Sequence, residues 1–380
     1  MSVAEVKLGE LGELRNGLNY SKANAGTGLK VISVKNFGDL RTPNYSELDE
    51  INPDGINAKD SLLKAGDVIF VRSNGNKDLI GRSMFIEEDQ TDVSFSGFCI
   101  RFRNTSNRAR SKYLAYFFRS PVFRRTLSNL GGGVNINNLN QKVLANFPIP
   151  LPELDAQDHI LSVISAYDDL IENNRRRIAL LEQAARLLYR EWFVHFRFPG
   201  HETATFVDGL PEGWVQTTLG EHCPFVYGKA LKADARVEGD VDVYGSSGIV
   251  GSHNKLLVEG KSIVVGRKGN VGSVFWAGRD FWPIDTVYYI SPANSDYFTF
   301  YALKNVSFIS TDVAVPGLNR DFAHSRKLII PDQDLLDEFN TKASTFLRQS
   351  ELLIDQNTKL TVARDLLLPR LMDGRLPVDV

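Results

Sequence analysis

Two loops carry side chains suited to reading a polar partner. "FVRSNGNKDLIGR" supplies Arg72, Asn74, Asn76, Lys77 and Arg82, and "VVGRKGN" supplies Arg267, Lys268 and Asn270. An arginine fork matches the two acceptors of guanine, an asparagine amide matches adenine, and glycine lets backbone approach a phosphate. A second pair, "GGGVNINNLN" and "PGLNRDF", adds Asn135, Asn137, Asn138 and Asn140 to the first set and Asn319 and Arg320 to the second. Lys229, in "FVYGKAL", joins the second set. Taken singly, each loop is also an ordinary hairpin tip; their recurrence at matching places favours a pair of readers.

Residues that could carry catalysis are scarce. There is no Walker loop, no strand-associated G-x-G-x-x-G, no H-x-x-x-H and no C-x-x-C. The six histidines are scattered singly, which suits structural or surface roles. Glu259-x-Lys261, with Asp240 and Asp242 upstream, is a faint nuclease-like constellation. Its counterpart in the first half of the chain is only the turn Ala65-Gly66-Asp67. Cys99 and Cys223 lack ligand-like spacing, so buried free thiols in a reducing compartment are expected.

The net charge of −2 argues against a non-specific nucleic-acid binder, but the average hides a basic run. Arg101, Arg103, Arg108, Arg110, Lys112, Arg119, Arg124 and Arg125 are interrupted by no carboxylate. The run reads either as a solvated face or as a surface steering and contacting phosphate, Arg124 and Arg125 included. No apolar run approaches the roughly 18–20 residues that cross a membrane, and "MSVAEVKLGELGELRNG" is no secretory signal. A cytoplasmic protein with no membrane partner is expected.

The elements that must position these loops occur twice. "LLKAGDVIFVRSNGNKDLIGRSMF" reappears as "LLVEGKSIVVGRKGNVGSVFW", flanked in the same order by strand-like, short aromatic-helical and Pro-bounded segments. Each half then ends in a long helical stretch. In the first, Ile160, Ile164, Tyr167, Ile171, Asn174, Ile178, Leu181, Ala185, Leu188 and Trp192 alternate spacings of four and three, a coiled-coil seam. The second repeats it through Phe339, Ala343, Phe346, Ser350, Leu353, Asn357, Leu360, Arg364, Leu367 and Leu371. Asn174 and Asn357 fall at equivalent places, where a seam asparagine penalises slipped registers. A helix from Asp155 to Phe196 would span about 60 Å, more than a domain of this size is wide. Two such helices pairing antiparallel would hold two globules apart. The stretch "FRFPGHETATFVDGLPEGW" ends the first helix and turns the chain. Trp192, Phe193, Phe196 and Phe198 at that helix end are either a partner-docking surface or core under the first globule.

Three stretches resemble the DNA-specificity subunits of type I restriction–modification enzymes. They are "FPIPLPELDAQDHI", "LIENNRRRIALLEQAARLLYREWFVHFRFPG" and "LPEGWVQTTLGE". "IIPDQDLLDEFN" in the distal half departs from the pattern, lacking a second Pro-Leu-Pro and an acidic-Gln pair. The resemblance implies an α+β protein in which two similar mixed α/β target-recognition domains are separated by two long helices forming an antiparallel coiled coil, a pseudo-two-fold internal repeat. The divisions expected are 1–152 for the first recognition domain, 153–198 for the central helix, 199–331 for the linker and second domain, and 332–380 for the distal helix and tail. It further implies a non-catalytic subunit reading a bipartite double-stranded DNA target and docking two methyltransferase subunits and restriction subunits. S-adenosylmethionine, ATP and Mg would sit on those partners and none on this chain. The rival readings are a coiled-coil scaffold whose globules bind protein, and a stand-alone nuclease using Glu259 and Lys261.

Overall fold

The computed structural model describes residues 4–38, 41–76, 79–130, 138–308, 317–372 and 376. Two compact units result: Met1–Asn173 with Gln356–Val380, and Asn174–Asp355.

Unit 1 contains β1 (Ala4–Lys7), β2 (Gly12–Asn16), β3 (Ala25–Ile32), β4 (Asp49–Ile51), β5 (Asp67–Val71), β6 (Ser83–Phe85), β7 (Val93–Phe95), β8 (Cys99–Asn104) and β9 (Pro148–Leu151), with α1 (Ser111–Arg119), α2 (Pro121–Leu130) and α3 (Gln141–Ala145). Strands β1 and β9 pair antiparallel and close the unit. A four-stranded sheet has the order β2-β8-β5-β6 and a three-stranded sheet the order β4-β3-β7. The central strand explains the layering. "DVIFV" is buried at every position, so both faces must be covered. Val68 and Phe70 point into one core with α1, while Ile69 and Val71 point into another with Ile32 and Phe95. Six consecutive residues of α1, Tyr113 to Phe118, are buried, and Phe118 meets Phe70 edge-on at 4.8 Å.

Unit 2 repeats this plan. After the short hairpin β10 (Phe206–Val207) and β11 (Leu210–Pro211) come β12 (Val215–Thr218), α5 (Leu219–His222), β13 (Phe225–Tyr227), β14 (Val241–Gly245), β15 (Gly248–His253), β16 (Ser262–Gly266), β17 (Val274–Ala277), β18 (Phe281–Pro283), β19 (Val287–Ile290), α6 (Tyr297–Asn305), α7 (Arg320–His324) and β20 (Lys327–Ile330). The closing pair is β12 with β20, and the sheets have the orders β13-β19-β16-β17 and β15-β14-β18. Each order is that of unit 1, strand for strand. The parallel strand pairing recurs too, β3 with β7 and β14 with β18. The Asp-Gly turn expected at 208–209 forms: Asp208 and Gly209 both take positive φ, the geometry of a two-residue hairpin loop.

The long helices are α4 (Leu154–Tyr189), continued by a π turn over Arg190–Val194, and α8 (Gln333–Met372). Every position of the two expected seams is buried or half-buried, whereas Leu180 and Leu352 beside them are 63% and 61% exposed. In unit 1 the helices run antiparallel: Asp168 bonds Arg364 at 2.7 Å, and the Asn357 amide donates to the Ile171 carbonyl at 3.3 Å. In unit 2 the end of α4 meets the start of α8, Tyr189 and Trp192 each lying 6.0 Å from Phe339. Each unit is therefore completed by segments of both helices rather than by one helix of its own.

An amide on each long helix grips the globule of its unit. Gln157, fully buried, accepts from the Arg110 amide and donates to the carbonyls of Arg108 and Pro152, at 2.8–2.9 Å. Asn340 accepts from the Phe298 amide at 2.9 Å and donates to Asp296 at 3.1 Å. One sequence expectation is corrected at the helix end. Trp192, Phe193 and Phe198 are neither a docking surface nor core under the first globule; they are buried in the core of unit 2 with Trp214, Phe298 and Phe339. Burial of three large aromatics outweighs any gain from leaving them for a partner.

Candidate nucleic-acid interface

At one end of the central strand of each unit, three backbone segments are laced together in the same way. In unit 1 the Arg72 amide donates to the Phe98 carbonyl at 2.8 Å, and the Leu139 amide to the Arg72 carbonyl at 2.9 Å. In unit 2 the Arg267 amide donates to the Thr286 carbonyl at 2.9 Å, and the Leu318 amide to the Arg267 carbonyl at 2.7 Å. Leu139 and Leu318 are buried and anchor their segments in the core. The Gly17 amide bonds Cys99 and the Gly228 amide bonds Val287, at 3.2 and 3.1 Å. Only glycine fits there, because a Cβ would lie 2.2 Å from the Ser96 oxygen or 2.1 Å from that of Ile284. Each frame also holds its arginine: Arg72 Nη1 donates to Gly97 O at 3.4 Å, and Arg267 Nη1 to Asp285 O at 3.3 Å. Arg72 and Arg267 are thus structural equivalents.

What the two frames present differs. In unit 1 the half-buried Arg72, Asn74 and Arg82 and the exposed Asn138 lie on or beside the frame. Asn74 turns its oxygen to the Asn76 amide at 2.7 Å. Lys77, Asn135 and Asn137 lie outside the described residues. In unit 2 the guanidinium of Arg267 lies 4.9 Å from the Tyr227 ring centre and that of Arg320 5.1 Å from it. Lys229, Lys268 and Asn270 are exposed around them, with the Asn270 amide on Ser247 Oγ at 3.0 Å. Burial first, and contact with Tyr227 next, raise the Tyr288 hydroxyl above the usual phenol range. Tyr227 and Phe98 were not singled out in the sequence. Tyr227 has a signal, since "VYG" matches "RNG" immediately before the two equivalent glycines.

Other candidates have duties within the fold. Asn319 Oδ1 accepts from the Phe322 amide at 3.0 Å and caps α7, as Asn140 caps α3 through the Val143 amide at 2.9 Å. The basic run is not one surface. Arg101 is 3% exposed, and burial holds its guanidinium below the usual value. Arg103 forms a two-pronged pair with buried Asp67 at 2.7 Å, and Arg110 pairs with Asp158 at 2.8 Å. Arg119 donates to Ser83 O at 3.2 Å, and Arg124 to Ile80 O at 2.5 Å. Alternation in β8 is the reason: Ile100 and Phe102 enter the core of α1, so Arg101 and Arg103 share the other face. Arg108 and Arg125 remain exposed. Of the nuclease-like residues, Lys261 pairs with Glu351 at 3.6 Å and Asp242 with Arg279 at 2.9 Å, while Asp240 and Glu259 are exposed. Among the described residues no group of three His, Cys, Asp or Glu could hold a metal ion, and no helix is long and apolar enough to cross a membrane.

Two copies of one mixed α/β frame, each presenting a different set of cationic, amide and aromatic side chains, define a duplicated recognition protein. The model of the type I restriction modification DNA specificity domain matches residues 2–183 and 211–349, and the chain belongs to that family. The type I restriction enzyme MjaIX specificity subunit of Methanocaldococcus jannaschii is 26% identical over 309 residues, 71% of this chain and 70% of that relative. The EcoKI specificity subunit of Escherichia coli is 24% identical over 180 residues, 47% of this chain and 38% of that one. In fold, the chain is similar to the type I restriction–modification S subunit of M. genitalium, with a TM-score of 0.55, 17% identity, and coverage of 97% of this chain and 95% of that structure.

Proposed function

We propose that each unit reads one half of a bipartite duplex DNA target and that the paired helices α4 and α8 set the separation of the halves. The observation that carries this reading is the equivalence of Arg72 and Arg267, held identically while their neighbours differ. A shared frame with divergent side chains is what two readers of different sequences require. Arg72, Asn74, Arg82 and Asn138 in one unit, and Lys229, Arg267, Lys268, Asn270 and Arg320 in the other, are the proposed contacts to bases and phosphates. Lys77, Asn135 and Asn137 are proposed on the sequence alone. The chain itself is non-catalytic in this reading, and methylation and cleavage belong to methyltransferase and restriction subunits docked on it. Mapping methylated adenines in cells carrying the chain tests the scheme. A two-part motif is expected, with one half relaxed by Arg72→Ala and the other by Arg267→Ala. Equal loss at both halves from either variant would overturn it.

A further inference from the structure

Phe98 is an unusual residue to leave in water. It is 64% exposed, and on the globule of unit 1 only Tyr20, at 36%, is another exposed large apolar side chain among the described residues. The two belong to segments bonded to each other, since the Gly97 amide donates to the Leu18 carbonyl at 2.6 Å.

The backbone beneath Phe98 is fixed from three sides. Ser96 to Cys99 forms a tight turn, the Cys99 amide donating to the Ser96 carbonyl at 2.9 Å. The Phe98 carbonyl accepts from both Arg72 and Ser73, at 2.8 and 3.4 Å, and the Arg72 guanidinium bonds the neighbouring Gly97 carbonyl at 3.4 Å. Gly97 packs closely on the Asn19 side chain, whose Oδ1 would lie 2.2 Å from a Cβ at that position. An apolar ring is thereby presented on a hydrogen-bonded mount beside a guanidinium, 64% exposed and with no ring contact among the described residues. In unit 2 the equivalent carbonyl, which accepts from Arg267 and Lys268 at 2.9 and 3.1 Å, belongs to Thr286.

We infer that Phe98 is an apolar wedge that enters the base stack of the half-site read by unit 1, with Arg72 on the adjacent base edge or phosphate. Rigid apolar side chains that partly separate a base step kink the duplex and read its deformability. The half-site read by unit 2 receives no wedge: Thr286 carries no ring to insert, and the exposed Tyr227 ring of that frame is engaged by the Arg267 and Arg320 guanidiniums. The proposal rests on the DNA-reading function above.

The test uses the full chain in complex with its methyltransferase subunits and a duplex bearing the mapped site. 2-Aminopurine is placed in turn at base steps away from the methylated adenines, and footprinting follows both half-sites. One step in the half relaxed by Arg72→Ala should brighten several-fold, and none in the other half. Phe98→Ala should abolish the brightening and weaken binding about tenfold to a hundredfold, the range for losing a buried aromatic contact. Phe98→Leu should keep part of both. Phe98 lies on the surface, so neither variant threatens folding. If both half-sites are protected but no step brightens, or Phe98→Ala brightens like the parent, the wedge is wrong and DNA reading stands. If the parent complex protects neither half-site, both fall together.

Discussion

Asp168 on α4 accepts from Tyr116 of α1, from Arg41 and from Arg364 of α8, the last at 2.7 Å. Its side chain is 12% exposed, and those of Arg41 and Arg364 are 21% and 24% exposed. Asp168→Ala would remove the counter-charge shared by two poorly hydrated guanidiniums, leaving Arg41 with the half-exposed Glu87 at 3.3 Å and Arg364 with the half-exposed Asp365 at 2.7 Å. Breaking a buried ion pair from one side costs about 3–5 kcal/mol, and the residual hydration of the arginines places this case near 3. That is roughly two orders of magnitude in the opening equilibrium of unit 1. Hydrogen–deuterium exchange resolved to peptides reads it directly: amides of 154–173 and 356–372 should exchange faster, while those of 262–290 should not. Acid gives an independent handle. Burial pushes the Asp168 carboxyl up, but the Tyr116 hydrogen bond, the Arg41 charge and the bond and charge of Arg364 outweigh it, leaving the group below its ordinary value. A depressed carboxylate stabilises the fold fully above its unfolded pKa of about 3.9 and loses that contribution as pH falls toward the folded value. The gap between parent and Asp168→Ala should therefore be full at pH 7 and close below about pH 4. A gap under about 0.5 kcal/mol at pH 7, the size of an ordinary surface substitution, would refute the reasoning.

Gln157→Leu removes a buried amide that satisfies three backbone groups, and should lower the stability of unit 1 by about 3 kcal/mol in urea titration. Arg267→Ala should cost about 1–3 kcal/mol of discrimination in one half-site, read from competition binding against single-base variants. Arg125→Ala should flatten the salt dependence of DNA binding by about one phosphate contact, whereas Arg124→Ala should chiefly destabilise the Ile80 turn it bonds. Deleting one heptad from both α4 and α8 should shorten the gap between half-sites by about 10 Å, near three base pairs, without changing either half; a changed half-site sequence counts against the helices as spacer.

The repeat, the closing Pro-bounded strands and the two seams were legible because each depends on local periodicity. Val68 to Val71 declare a doubly covered strand by their unbroken apolar run, and Ile164, Ile171 and Ile178 declare a seam by their spacing. The basic run misled because its partners are distant in the chain: Asp67 lies 36 residues from Arg103 and Asp158 48 from Arg110. Asn319 and Asn140 were readable as caps, each followed three residues later by the amide it bonds, but the short helices they begin gave no periodic signal. The aromatic cluster at Trp192 was recognised as apolar, yet composition cannot say which core receives a helix end. Phe98 becomes visible only when the frames are superposed, since it stands within no motif, whereas Tyr227 is marked in the sequence only by the glycine that "VYG" shares with "RNG".

The pairing of β1 with β9, and of β12 with β20, brings the entry and exit of each globule side by side. A cassette whose two ends are neighbours can be cut out and another spliced in without rerouting the chain. Under the function proposed above, exchange of coding sequence at these two seams would replace the reader of one half-site in a single event and leave the other module as it was.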